Sequence, residues 1–313
     1  MTAPPLLLAG HGSADPAGAD AFVALRERVA ATFAGQGVDV AGGFIELSDP
    51  PLSAAVDTLV ARGHRRAVAV PVVLAAAGHA KGDVPAALAA ARERHPGLSF
   101  AYGRPLGPHP VLLRLLADRI SETVGRRHPH APTTAADVHD LQDVAVLVVG
   151  RGSTDPDANA ETYKTSRLLW ETYQAGQQRF ALAETAFVSL ARPDVTEGLE
   201  RCRRLGARRV VVARYFLFPG VLPDRVLEQA SGYAAAREEL DVRCTDVLGD
   251  CDEIAQLVAA RYAEVLTGDI RMNCDMCVYR AELPGFEHRV GAPQRPHYHP
   301  AEAPGAANQA HAH

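Results

Sequence analysis

The sequence is poor in the features that mark several common kinds of protein. Five cysteines among 313 residues are too few for a disulfide scaffold, and their odd number excludes a fully paired set. Excess charge of one sign is also missing. The 32 basic and 37 acidic residues leave a net charge of −5, which gives no electrostatic reason to expect nucleic acid. The opening MTAPPLLLAG has no basic segment and only a short apolar run, so neither a signal peptide nor a membrane span is expected, and a soluble cytoplasmic protein is. Three familiar glycine-rich motifs fail in turn. Asp15 stands where a G-x-G-x-x-G fingerprint starting at Gly10 needs its third glycine, and His11 stands where a G-x-S-x-G elbow around Ser13 needs glycine. Gly152-Ser153-Thr154 lacks the lysine of a P-loop.

What is present begins with a packed core. Hydrophobic residues make up 47% and charged residues 22%, so the bulk of the chain is foldable, and its length suggests about two domains. Those domains are related to each other. Gly10-His11-Gly12-Ser13-Ala14-Asp15-Pro16 returns as Gly150-Arg151-Gly152-Ser153-Thr154-Asp155-Pro156, with five of seven residues identical. Phe44-Ile45-Glu46-Leu47 is echoed by Phe187-Val188-Ser189-Leu190, Gly63-His64-Arg65-Arg66 by Gly206-Ala207-Arg208-Arg209, and Leu106-Gly107 by Leu248-Gly249. Matches in the same order at a nearly constant offset point to duplication.

Each half reads as β-α repeated four times. Short Val/Leu/Ala-rich runs predict strands near 5–10, 39–47, 67–74 and 98–103, then near 144–149, 182–190, 209–217 and 242–247. Helical spacing of Phe22, Leu25, Val29 and Phe33, and of Leu112, Leu115, Leu116 and Ile120, marks two of the intervening helices. The pattern predicts two doubly wound α/β lobes, residues 1–125 and 143–283. Residues 126–142, rich in Pro, Thr and His, read as a linker, and residues 284–313 as a disordered Pro/His-rich tail.

Ligands of open α/β sheets gather outside the carboxyl ends of the strands. His11, Glu46 and His79 all fall there, behind three predicted strands of the first lobe, and imidazole with carboxylate suits a divalent transition metal. Any one of them alone reads more readily as a solvated or hydrogen-bonded loop side chain. The second lobe has Arg151, Ser189 and Gly220-Val221 in their places, so a single site is expected, with the second lobe as its opposite wall. Arg151 and Arg214 could face ligand carboxylates or be surface arginines, in a chain with 30 Arg and 2 Lys. The Gly-Ser turns before the helices could bind an anion through backbone N–H groups. Cys274 and Cys277 in Met272-Asn273-Cys274-Asp275-Met276-Cys277 have the spacing of two metal ligands or are inert thiols; Cys244 and Cys251 are candidate helpers. Five of thirteen histidines lie in the last 26 residues, either as a loose metal store or as a solvated tail.

Taken together, LLLAGHGSADP at 6–16, FIEL at 44–47, GHAKGDVP at 78–85, RPLGPHP at 104–110, VVGRGSTDP at 148–156, RYFLFPGVLPDRV at 214–226 and MNCDMC at 272–277 resemble the sirohydrochlorin chelatases, class II tetrapyrrole chelatases, in their long duplicated form. The resemblance spans about residues 6–277. It implies two similar lobes, each a four-stranded parallel sheet flanked by helices, with the active-site cleft between them. It also implies a catalytic pair, His11 and His79, with Glu46 as carboxylate partner, and insertion of a divalent metal, Co²⁺ first, into sirohydrochlorin without nucleotide. Gly12, Ser13, Arg151 and Ser153 would orient the substrate's carboxylates, and Cys274 and Cys277 would hold a 4Fe–4S cluster. A ferrochelatase or nickel chelatase keeps the same fold with another metal. A non-catalytic cobalt or nickel store is the alternative of another class, and it would lose its function on deletion of residues 285–313. No nucleic-acid or membrane partner is expected, and the chain would act as a monomer or homodimer.

Overall fold

The computed structural model describes residues 3–125, 141–174, 179–270, 279–280 and 287–292. The expected linker and tail, and Cys274 and Cys277, therefore lie almost wholly or wholly outside the described residues. The first lobe runs β1 (Leu6–Gly10), α1 (Pro16–Thr32), β2 (Val40–Phe44), α2 (Leu52–Ala61), β3 (Arg66–Pro71), α3 (Val84–Arg94), β4 (Ser99–Tyr102) and α4 (Pro110–Gly125). The second repeats it with β5 (Val144–Gly150), α5 (Pro156–Gln174), β6 (Leu182–Phe187), α6 (Val195–Arg204), β7 (Arg209–Arg214), α7 (Val221–Ala235), β8 (Asp241–Cys244) and α8 (Asp252–Thr267). Each lobe holds one four-stranded parallel sheet, in the orders β2-β1-β3-β4 and β6-β5-β7-β8. Among the described residues no helix is long and apolar enough to cross a membrane.

Burial follows strand position. The central strands LLLAG (β1) and VAVLVVG (β5) are buried at every residue, as parallel strands covered on both faces must be. Of the edge strands, SFAY (β4) and DVRC (β8) have no buried residue, whereas VAGGF (β2), tucked under flanking helices, is buried at four of its five residues. Asp15 starts α1 by accepting the Ala17 N–H at 2.9 Å, with Pro16 at the first helical position.

Five strands, β2, β3, β6, β7 and β8, end three residues earlier than their apolar runs suggest. β2 stops at Phe44 because the chain reverses tightly at Leu47, where Ser48 N–H donates to Glu46 O at 2.8 Å. After β3 and β7 the apolar residues Leu74 and Leu217 leave the ladder and pack into a core shared by both lobes.

That shared core is the feature that joins the halves. The last helix of each lobe crosses to the other: α4 packs on β7 and β8, while α8 packs on β3 and α1. Arg261 of α8 is fully buried and donates to the carbonyls of Pro105 (2.9 Å) and Leu106 (2.6 Å), just ahead of α4. Reciprocally, Arg119 of α4 donates to Leu248 O at 3.3 Å, ahead of α8. The exchange fixes the strand ends of both sheets relative to each other, and the site lies at their junction.

Candidate active site

His11 follows β1 directly, and Glu46 stands two residues past β2. The ladder continues past both strands, with Ile45 N–H donating to Gly10 O at 2.9 Å and Glu46 N–H to His11 O at 3.1 Å. Gly12 makes this approach feasible. Its φ is +105°, and a Cβ there would lie 1.7 Å from Glu46 O. Gly12→Ala should therefore destabilise the protein by about 2 kcal/mol or more, and displace Glu46. A thermal melt and a Co²⁺ titration, both showing loss, check this.

His79 is reached differently. After β3 a loop crosses to a single π-helical turn, His79–Asp83, on which His79 and Asp83 share a face. The Asp83 carboxylate, 3% exposed, lies 2.6 Å from His79 Nδ1. Asp83 accepts the Nδ1 proton, which assigns coordination to Nε2, the arrangement of a carboxylate-oriented metal ligand. The His11 Nδ1–H donates to Gly12 O at 3.0 Å, which again assigns the lone pair to Nε2. The two rings meet edge to face with centroids 4.0 Å apart.

The expected trio therefore converges: one ligand atom from each of His11, Glu46 and His79 lies within 4.8 Å of the others. His11 Nε2 is 3.1 Å from Glu46 Oε1, and that oxygen is buried without a hydrogen-bond partner. Two acceptors so close repel unless a cation or a proton stands between them, and Glu46 out of water carries a desolvation cost. The donor set, two imidazole nitrogens and one carboxylate oxygen, suits a divalent transition metal.

The second lobe supplies the facing wall. Arg151 Nη1 lies 3.3 Å from His11 Nε2, and burial pulls the guanidinium's pKa down while Glu46 opposes the shift. Arg214, in contrast, is spent on its own lobe. Its Nε donates to Thr245 O at 2.5 Å and Nη2 sits 3.6 Å from Asp246, so it is not brought to the ligand trio.

The glycine-serine turns also differ from an anion cradle. Ser13 N–H donates to Ser48 Oγ and Asp15 N–H to Ser13 Oγ. In the second lobe Ser153 N–H donates to Asn159 Oδ1 and Asp155 N–H to Ser153 Oγ. These backbone donors are committed internally. Ser13 nevertheless sits against the second lobe, since a Cβ on Gly220 would come 3.3 Å from its hydroxyl.

A clasp between the lobes is absent from the sequence expectations. Lys81, two residues past His79, reaches the start of α5, with Nζ at 2.8 Å from Asp155 and 2.9 Å from Asp157, all three nearly buried. Burial opposes its charge, but hydrogen bonds and attraction from the two carboxylates outweigh it, and its pKa rises. Ala76 N–H donates to Glu161 of α5 at 2.9 Å, and Tyr102 donates to Ala80 O at 2.7 Å. The loop bearing His79 is thus held to the second lobe, whose Asp155 is the repeat's counterpart of Asp15. The four-residue spacing of His79 and Asp83 was the one available signal; Lys81 and Glu161 become visible only when the lobes meet.

Burial pushes the Glu161 carboxyl up to about 7. A carboxyl raised in the folded state binds its proton more tightly than in the unfolded chain, so its contribution declines as pH climbs from about 4.5 through 7. Glu161→Gln keeps the acceptor for Ala76 and should gain up to about 3 kcal/mol over the parent above pH 8. Melting curves of the two should converge toward pH 4.5; a gap independent of pH contradicts this.

The remaining sites lie apart. His64 and His95 pair with Asp39 and Asp57, each at 2.7 Å, away from the trio. Burial pushes the thiols of Cys202 and Cys244 up to about 12 and about 11, and Cys251 is raised too, so these favour the protonated form rather than a ligand thiolate. Among the described residues no group of three or more metal-capable side chains includes a cysteine.

Comparison with known proteins bears on the family and the fold. The CbiX family model matches residues 5–123 and again 145–265, once per lobe. A sirohydrochlorin cobaltochelatase of Priestia megaterium is 37% identical over 284 residues, 90% of this chain and 86% of that protein. A sirohydrochlorin ferrochelatase of the same organism is 28% identical over 257 residues, 82% of this chain and 88% of that protein. The solved structure of SirB from Bacillus subtilis with Fe³⁺ shares the fold, with a TM-score of 0.69 at 22% identity, covering 85% of this chain and 98% of that one. The duplicated parallel sheets and the double family match place this chain in the CbiX family.

Proposed function

We propose that this protein inserts a divalent metal, Co²⁺ ahead of Fe²⁺ or Ni²⁺, into sirohydrochlorin, replacing two pyrrole protons. The observation that carries this is the convergence of His11, Glu46 and His79 within 4.8 Å at the lobe junction. The higher identity to a cobaltochelatase, 37% against 28% for the ferrochelatase, favours cobalt.

Insertion has two demands: the metal must shed water, and the macrocycle must lose two protons. His11 Nε2, His79 Nε2 and Glu46 Oε1 supply three ligands to the incoming ion, leaving its other positions to exchangeable water. Three ligands hold the ion without burying it in a closed cage, so pyrrole nitrogens can displace them in turn. As each imidazole releases the metal its Nε2 lone pair becomes available to accept a proton. Each proton then has a counter-charge in place: the His11 imidazolium faces Glu46 at 3.1 Å, and the His79 imidazolium faces Asp83 at 2.6 Å. Charge stays balanced, since one dication enters the ring and two protons leave it. Arg151 stands beside this centre for the substrate's carboxylates. One chain supplies both walls of the site, so a monomer suffices.

The test is anaerobic incubation of the protein with sirohydrochlorin and each metal separately, without nucleotide, followed by absorption. Cobalt insertion at a rate well above the uncatalysed reaction is expected. No acceleration with any of the three metals overturns the proposal.

A further inference from the structure

Glu46 and its counterpart Ser189 are each followed by a leucine in the left-handed region, Leu47 at φ 63° and Leu190 at φ 59°. Among the described residues no other non-glycine residue has positive φ. Both leucines are the central residue of a three-residue γ-turn, closed by Ser48 N–H to Glu46 O at 2.8 Å and by Ala191 N–H to Ser189 O at 2.7 Å. The γ-turn with positive φ is the rare and strained form.

The turn has a structural use. It turns the carbonyls of Glu46 and Ser189 onto Gly12 and Gly152, where a Cβ would come within 1.7 and 1.8 Å. It does not account for leucine. Glycine or asparagine holds a left-handed residue with less crowding, and leucine's usual compensation, burial, is missing here. Leu47 is 40% exposed and Leu190 64% exposed.

The same unfavourable choice stands in both lobes. It persists in the second, where the carboxylate beside it has become serine, so it does not serve to hold Glu46. Each turn connects to the candidate metal centre from its own lobe: Leu47 adjoins Glu46, and Leu190 follows Ser189, whose N–H donates to Arg151 O at 3.0 Å. Arg151 in turn meets His11 at 3.3 Å. A macrocycle with its central nitrogens at the ligand atoms must extend over the residues next to them, and its ring carbon is apolar. Strain retained at an exposed apolar side chain beside a reaction centre fits a contact made only with substrate.

We propose that Leu47 and Leu190 are substrate contacts, one apolar stop from each lobe, against which the tetrapyrrole ring lies while its nitrogens meet the metal. This rests on the metal-insertion function proposed above.

The test uses the full-length protein carrying Leu47→Asn, Leu190→Asn or both, beside Leu47→Met and Leu190→Met. Asparagine tolerates the left-handed backbone, so Tm should be unchanged or higher, and titration with Co²⁺ alone should match the parent. The KM for sirohydrochlorin should rise about tenfold or more for the double asparagine variant, the scale set by losing an apolar contact, while the methionine variants stay close to the parent. Parental KM in the double asparagine variant overturns the inference. So does a lowered Tm with weakened Co²⁺ binding, which makes the leucines structural. If the parent itself neither binds sirohydrochlorin nor inserts metal, the functional proposal falls and this one with it. Insertion by the parent with unaltered KM in the variants removes this inference alone.

Discussion

His79→Ala should slow metal insertion by at least about 100-fold while leaving the protein folded. The side chain does two jobs at one atom. In the proposed mechanism Nε2 is one of three metal ligands, and after transfer it is one of the two bases that take a pyrrole proton. Alanine removes both, and no neighbour can substitute, since Lys81 is committed to Asp155 and Asp157 at 2.8 and 2.9 Å. The fold has less at stake. His79 terminates a loop already held by the Lys81 clasp, by Ala76 on Glu161 and by Tyr102 on Ala80. The loss falls on Asp83, which keeps a buried carboxyl with its imidazole partner gone, so a modest drop in Tm is expected. Insertion rate and circular dichroism melting measure the two effects separately. A variant that inserts cobalt near the parental rate would remove His79 from the mechanism.

Asp83→Asn isolates the other half of that argument. The asparagine is nearly isosteric but carries no charge, and its amide can donate to His79 Nδ1 as readily as accept from it. Donation moves the ring proton to Nε2, the atom that must coordinate, and the neutral partner no longer stabilises an imidazolium. Loss of such a supporting carboxylate typically costs 10–100-fold in metal affinity or activity, and about that loss is expected here. Co²⁺ affinity and insertion rate should fall together, with KM for sirohydrochlorin unchanged, because Asp83 is buried behind His79. A full retention of cobalt affinity would show that the 2.6 Å contact does not set the tautomer.

Much of the site is legible in the sequence because the repeat supplies its own control. Comparing Gly10-His11-Gly12-Ser13 with Gly150-Arg151-Gly152-Ser153 separates what the fold needs, the glycines pressed on neighbouring carbonyls, from what varies, the side chain at 11 and 151. The strand-end rule then gathered His11, Glu46 and His79, and the structure brings those three together. What escaped was whatever depends on the partner across a junction. Helical spacing in α4 marks a buried face but cannot say that the face packs on the other lobe's β7 and β8. Lys81 read as one residue of a motif, and only the approach of α5 gives it two carboxylates. Arg214 stayed open in the sequence because a strand-end position does not tell whether a long side chain turns to the cleft or to the edge strand, and Thr245 takes it. The glycine-serine turns misled for a similar reason. Ser48, 35 residues away, and Asn159, six residues on, occupy the donors that an anion would need.

The central claim is that metal passes from His11, Glu46 and His79 directly into the ring. Stopped-flow mixing of protein preloaded with one equivalent of Co²⁺ against metal-free sirohydrochlorin, with a chelator present to capture free metal, tests it most directly. Absorption of the protein-bound cobalt should decay at the rate at which the cobalt-tetrapyrrole spectrum appears, unaffected by the chelator. Product that vanishes when the chelator is added, while the protein-bound signal persists, would contradict the account.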